Sequence, residues 1–305
     1  MEVTFLNFFK KNFLGIISFL ILLIIVVFSS VKFIEQRNSI EQRNAENKSF
    51  CLKTEYKNTE YENYCVEVLN NKNIKMDFFT AYTNIIVLGL GRYTFILFLF
   101  VIIPSLYNTS KYLKNKIIID DAQRMNYKNI KKKIIFESYK PILILPIIIV
   151  ISFVICYVIS GNFDATYAIK NSTTVWSEAT LKKPILFMTM YIINVIFHCI
   201  LYINISLIIV RKYHNYFVAT ILSFLLYIGI EAILEIGLNG ILFTSILKSE
   251  AGIIFNIMNY ITFNDGVGIL PILFVPTTLA ILTSVIVYFK YKDKEMLIID
   301  CESND

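Results

Sequence analysis

The chain has 305 residues, 56 % of them hydrophobic, which is more apolar surface than one soluble core of that length buries. Its 29 basic and 23 acidic residues give a formal net charge of +6. The basic residues cluster beside apolar runs, where orientation in a membrane accounts for them, so a nucleic-acid partner and a soluble enzyme are both set aside.

A crossing helix needs about 20 apolar residues, because the hydrocarbon layer is about 30 Å thick and a helix rises about 1.5 Å per residue. The first such run, Phe13 to Ile34, follows Lys10 and Lys11. It is too long for a signal peptide and no small-residue cleavage site follows it, so it is expected to stay as an anchor. Segment 35–80 then reads as a small extracytoplasmic cap. It holds two copies of Glu-Gln-Arg-Asn, Glu35 to Asn38 and Glu41 to Asn44, which also suit a polar helix prolonging the first span. Cys51 and Cys65 either form a disulfide in an oxidising exterior or stay free thiols.

The second run is Ala81 to Leu106 and contains Arg92, which either pairs with a glutamate in the membrane or snorkels at the outer interface. Loop 108–140 follows, with Asp120 and Asp121 ahead of Lys131, Lys132 and Lys133. It has room for a short surface helix whose acidic start suits the helix dipole and whose basic end suits anionic lipid. The third run is Pro141 to Ile159, and Tyr167 and Trp176 beyond it are ordinary interfacial anchors.

The fourth run, Pro184 to Val210, carries Asn194, His198, Tyr202 and Ser206 every four residues. Such a stripe serves as glue between helices as well as it serves a path. The fifth run, Tyr216 to Leu247, is too long for one simple crossing. Its own stripe, Ser223, Tyr227, Glu231, Glu235 and Asn239, includes the only two acidic residues placed inside a span. Ionisable groups at that depth face a cavity or a partner. Gly237, Asn239 and Gly240 are expected to break this helix, leaving a re-entrant stretch to about Gly268. The sixth run is Ile269 to Phe289.

With the amino terminus inside, the inner loops hold 16 Lys and Arg in 66 residues and the outer loops 11 in 90, so both termini are expected in the cytoplasm. No phosphate loop, His-Glu-x-x-His or Gly-x-Ser-x-Gly occurs, and Gly89-Leu-Gly91-Arg92 lacks the Lys-Ser/Thr that a phosphate loop requires. Glu231 and Glu235 are four apart with no arginine following on their helix, unlike an intramembrane protease. Cys156, Cys199 and Cys301 show no metal-ligand spacing and read as packing residues. No catalytic residue, metal or cofactor is therefore expected in this chain.

The layout resembles the membrane subunit of ABC-2 type ABC transporters over nearly the full chain. The features that carry it are six spans with both ends cytoplasmic, the acidic-then-basic segment Asp120 to Lys133, the broken stretch Gly237 to Gly268, and the basic tail Lys290 to Lys294. Aspartates stand where that family usually has a glutamate. The resemblance implies an all-α permease in a bacterial plasma membrane, residues 1–305 forming a single transmembrane domain. It implies that two such subunits, identical or related, enclose a path among membrane lipids. Separate ATPase subunits holding ATP and Mg²⁺ would push on the coupling loop, at Asp120, Asp121, Arg124 and Tyr127. The cargo would be an antimicrobial peptide, drug or lipid-like molecule, passing Arg92, Glu231, Glu235, Asn239, Asn194 and His198. Two other classes stay open: an ion-coupled secondary transporter using Arg92 and the two glutamates, and a non-transporting sensor or immunity protein whose cap binds an external ligand.

Overall fold

The structure, a computed structural model, describes residues 2–53, 62–70, 76–115, 117–170, 181–249 and 269–302, with 252 and 255 singly. Its first helix, α1 (Glu2–Lys53), is 52 residues long, about 78 Å at about 1.5 Å per residue. In its apolar half Leu22, Val26, Ser30 and Phe33 are buried at the three- and four-residue spacing of one helix face, while Ile24, Val27, Phe28 and Val31 are exposed. Both Glu-Gln-Arg-Asn copies lie in its polar half, which continues unbroken. The short α2 (Glu62–Asn70) packs on it, and a disulfide joins Cys51 to Cys65.

The second apolar run departs from the single helix expected over Ala81 to Leu106. It begins as α3 (Phe78–Tyr82), capped by Asp77, whose Oδ1 accepts from the Thr80 N–H and hydroxyl at 3.0 and 2.9 Å. The other Asp77 oxygen accepts from the N–H of Ala168 at 2.9 Å, tying this start to the loop after the third span. The helix then widens over Thr83–Val87, turns at Leu88 and Gly89, and tightens into a 3₁₀ turn, Leu90–Tyr93. It resumes as α4 (Thr94–Leu97) and α5 (Leu99–Lys114). Gly89 and Gly91 each cost a helix about 1 kcal/mol relative to alanine. Gly89 also lets the turn approach α1: a Cβ there would stand 2.5 Å from Ser29 Oγ and 2.1 Å from the Ile85 carbonyl oxygen.

Two surface helices follow, α6 (Ile117–Arg124) and α7 (Tyr127–Tyr139), the second capped by the Asn126 side chain accepting from the Lys128 N–H. Pro141 shapes a 3₁₀ turn that leads directly into α8 (Ile144–Ser160), which Gly161 ends at φ 81°. Asp164 starts the short α9 (Thr166–Lys170) by accepting from the N–H groups of Ala165 and Thr166. Next come α10 (Pro184–Lys212), with proline at its first turn, and α11 (Tyr216–Ala232), capped by Asn215.

Beyond Ala232 the helix does not break at Gly237, Asn239 and Gly240 as expected. It continues as a wider, π-type helix over Ile233–Ile246. The hydroxyls of Thr244 and Ser245 donate to the carbonyls of Asn239 and Gly240, five residues back, and so replace backbone bonds the glycines weaken. The chain turns at Lys248, φ 50°, and doubles back so that Gly252 lies against Asn239 and Phe243, and the Phe255 ring stands 5.6 Å from that of Phe243. The rest of the stretch expected to be re-entrant, to Gly268, lies outside the described residues. The fold ends with α12 (Ile269–Lys290) and α13 (Lys294–Glu302).

Among the described residues there is no strand, and five helical stretches are long and apolar enough to cross a membrane: Asn12–Leu52, Tyr127–Ser160, Pro184–Lys212, Tyr216–Ile246 and Leu273–Lys290. α10 is the hub. It packs against α5, α8, α11 and α12, and every residue from Leu201 to Leu207 is buried. Toward one end, rings of Phe78, Phe79, Tyr82, Phe153, Phe187 and Tyr191 interlock α3, α8 and α10, with Tyr82 and Phe153 stacked at 5.2 Å. Such ring pairs add about 0.5–1.5 kcal/mol beyond their buried area. Deeper in, the buried Asn204 accepts from the Tyr139 hydroxyl, and its two amide hydrogens are shared among the Ala280 carbonyl and the hydroxyls of Thr283 and Ser284.

Candidate functional site

The two polar stripes meet. Four-residue spacing keeps Asn194, His198 and Tyr202 on one face of α10, and Ser223, Tyr227 and Glu231 on one face of α11, and all six are buried. The Tyr202 and Tyr227 hydroxyls stand 3.3 Å apart, with ring centroids 4.9 Å apart and perpendicular. Phe98, at the kink between α4 and α5, fills the third side: its ring is 4.7 Å from Tyr227 and stacks on Phe224 at 5.1 Å.

Glu231 is 6 % exposed, and among the described residues neither of its carboxyl oxygens has a hydrogen-bond partner. It lies within electrostatic reach of Tyr202. Burying such a group unsatisfied costs about 1–3 kcal/mol on mutational scales, so packing alone does not favour it there. Glu235 sits where the helix has widened and accepts from the Asn239 amide at 3.3 Å. On the far side of Tyr202, His198 Nδ1 bonds to the Asn194 carbonyl at 2.9 Å; a carbonyl only accepts, so that nitrogen carries the proton. His198, Tyr191 and Tyr202 line a cavity of about 30 Å³ with Leu90 and Leu97 of the broken second run, room for about one water. Arg92 lies in the 3₁₀ turn, but its side chain falls outside the described residues, as do those of Tyr167, Trp176 and Cys301. Cys156 and Cys199 are buried free thiols. Among the described residues no three His, Cys, Asp or Glu side chains gather as a metal site would need.

At the opposite level loop 108–140 has two faces. Ile118, Ile130 and Ile134 are buried against the spans. Asp121 accepts from the Tyr112 hydroxyl and from Lys133 Nζ at 2.8 Å, and these bonds, that of Lys133 foremost, hold its carboxyl below the usual aspartate range. The Tyr127 hydroxyl donates to the Tyr291 carbonyl at 2.8 Å, fastening α7 to the turn between α12 and α13. Asp121 and Tyr127 thus face the chain itself. Asp120 and Arg124 are exposed, together with Gln123, Lys128 and Lys132.

Sequence reasoning missed the belt behind this loop. Arg211, buried at the end of α10, donates from Nε to Asp300 at 2.6 Å, and the Tyr291 hydroxyl donates to the Leu207 carbonyl at 2.9 Å. The Ser110 hydroxyl donates to the His214 carbonyl. Lone charges beside a span read as orientation signals, and only the fold pairs residue 211 with residue 300. Comparison with protein-family models, with curated proteins and with solved structures finds no match to this chain.

Proposed function

We propose that this chain is the membrane subunit of an ATP-driven exporter of the ABC-2 type, powered by separate ATPase subunits and assembled with a second permease subunit. In this reading the discontinuous second run counts as a crossing, which makes six, and the return after Lys248 is the re-entrant element. Both termini are cytoplasmic, in a bacterial plasma membrane. The observation that carries the reading is the two-faced pair α6 and α7. One face is bonded to α5 through Asp121 and to the α12–α13 turn through Tyr127, and the other presents Asp120, Arg124 and Lys128 outward. A lever needs that division: one side fixed to the helices it moves, the other free for the partner that pushes.

The test is co-expression with an ABC ATPase, taken from beside this chain's gene where one is encoded there, followed by purification through a tag on this chain. A stable complex is expected, weakened by the paired change Asp120→Ala and Arg124→Ala. Recovery of the chain alone from cells that make both proteins would sink the proposal. An ion-coupled carrier is the second reading, favoured by the unpartnered carboxyl of Glu231 in a span. Cargo movement in vesicles driven by an ion gradient, without any ATPase, would select it.

A further inference from the structure

The break in the second run has a polar space beside it. A cavity of about 500 Å³ lies between α1 and the Leu88–Gly89 turn, lined among others by Ile24, Phe28, Ser29, Lys32, Gln36 and Asn84. Irregular backbone is tolerated at membrane depth only where protein covers it or where it lines a wetted cavity, so break and cavity belong together. Gly89 lets the turn close against Ser29 and so bounds the space on that side. Lys32 reaches over the Phe28 ring, 4.6 Å from its centroid. Neither Lys32, Ser29 nor Gln36 makes a hydrogen bond or ion pair among the described residues. Asn84 spends one amide hydrogen on the Thr80 carbonyl and keeps the other.

Depth decides what such a set of donors meets. Counting about 20 residues from Phe13 places Lys32 at the end of the apolar stretch, level with lipid phosphates rather than acyl chains. One and two turns deeper on the same wall, Phe28 and Ile24 are 59 % and 66 % exposed. The wall is therefore cationic and hydrogen-bonding at phosphate level and apolar below it.

We propose that this cavity binds the headgroup of an anionic phospholipid in the leaflet on the cap side. Lys32 pairs with the phosphate, Ser29 and Gln36 donate to its oxygens, and an acyl chain lies along Phe28 and Ile24. The site is independent of how the chain is powered. The test is native mass spectrometry of the full chain in detergent, offered phosphatidylglycerol or phosphatidylcholine with the same acyl chains. Phosphatidylglycerol is expected to be retained preferentially, and Lys32→Gln to lower that retention about tenfold, the worth of one charge-assisted bond. Lys32→Arg is expected to keep it, as is Lys48→Gln, which removes a half-buried cation farther along the same helix. An intact Cys51–Cys65 disulfide and monodisperse elution report folding. Should Lys32→Gln aggregate, Gln36→Leu carries the same test with a loss of about threefold, one neutral hydrogen bond. Equal retention of the two lipids, or no loss in either variant, overturns the proposal. Displacement of phosphatidylglycerol by millimolar inorganic phosphate also overturns it, by making the site one for the free anion.

Discussion

Replacing Glu231 with leucine is expected to make the protein more stable and, on the proposed function, less able to move cargo. The carboxyl is 6 % exposed, without a hydrogen-bond partner among the described residues, and beside Tyr202. An unsatisfied buried polar group costs about 1–3 kcal/mol, and a leucine of similar volume recovers that cost while packing on the same ring. A gain of about 2 kcal/mol raises Tm by roughly 4 °C for a chain of this size. Thermal unfolding of the detergent-purified protein, followed by size-exclusion, measures it. Glu231→Gln should gain less, because its amide still lacks partners. A lower Tm for the leucine variant would mean that the carboxyl is satisfied in the folded protein, and the reasoning would fail. On the proposed function, export by a Glu231→Gln, Glu235→Gln double variant at the normal rate would reduce the stripe to packing.

Gly89→Ala is expected to destabilise by about 1–3 kcal/mol through overpacking against Ser29 and the Ile85 carbonyl, whereas Gly229→Ala, which meets open space, should gain up to about 1 kcal/mol. Opposite shifts in Tm would show this, and equal ones would refute it. Asp121 has its carboxyl below the ordinary value of 3.8. The stability it lends the α6–α7 docking is therefore whole above about pH 5 and is lost as pH falls through 3.8 toward the folded value. Spin labels on Gln123 of α6 and Asn129 of α7 should separate in acid, and at pH 7 in Asp121→Asn; an unchanged distance in both refutes the linkage. Cys51→Ser opens a crosslink between residues 14 apart, worth about 3 kcal/mol to the cap on chain-entropy grounds. Proteolysis between α1 and α2 should accelerate while the spans stay intact.

Much of the fold was legible because lipid imposes a simple rule on sequence: Pro184, Tyr216 and Ile269 were each expected as the first residue of a span and each begins a helix. The helix breaks were not legible, and the reason is physical. Glycines were weighed alone, yet what a glycine does depends on what satisfies the backbone around it. Beyond Gly237, the Asn239 and Gly240 carbonyls accept from the Thr244 and Ser245 hydroxyls, which hold a widened helix together. Gly89 instead faces Ser29, sixty residues earlier, and that close approach rewards a turn. The stripes were readable from four-residue spacing, but that they face each other through Tyr202 and Tyr227 is a property of packing.

That packing also suggests how a push on the coupling loop would reach the buried carboxyl. α7 runs into α8 through one 3₁₀ turn, and at its end the Tyr139 hydroxyl donates to Asn204. Asn204 is two residues from Tyr202 on α10, about 3 Å along the axis, and it also grips α12 through Thr283 and Ser284. On the proposed function, this one amide carries motion from the cytoplasmic lever to the Tyr202–Tyr227–Glu231 face. Asn204→Leu removes it at a cost of about 2 kcal/mol, since bonds between membrane helices are worth about 0.6–1.7 kcal/mol each. The complex should then continue to hydrolyse ATP while transport falls at least about tenfold, a coupling loss of about 1.4 kcal/mol or more. Hydrolysis and transport falling in equal proportion would place the link elsewhere and leave Asn204 a purely structural residue.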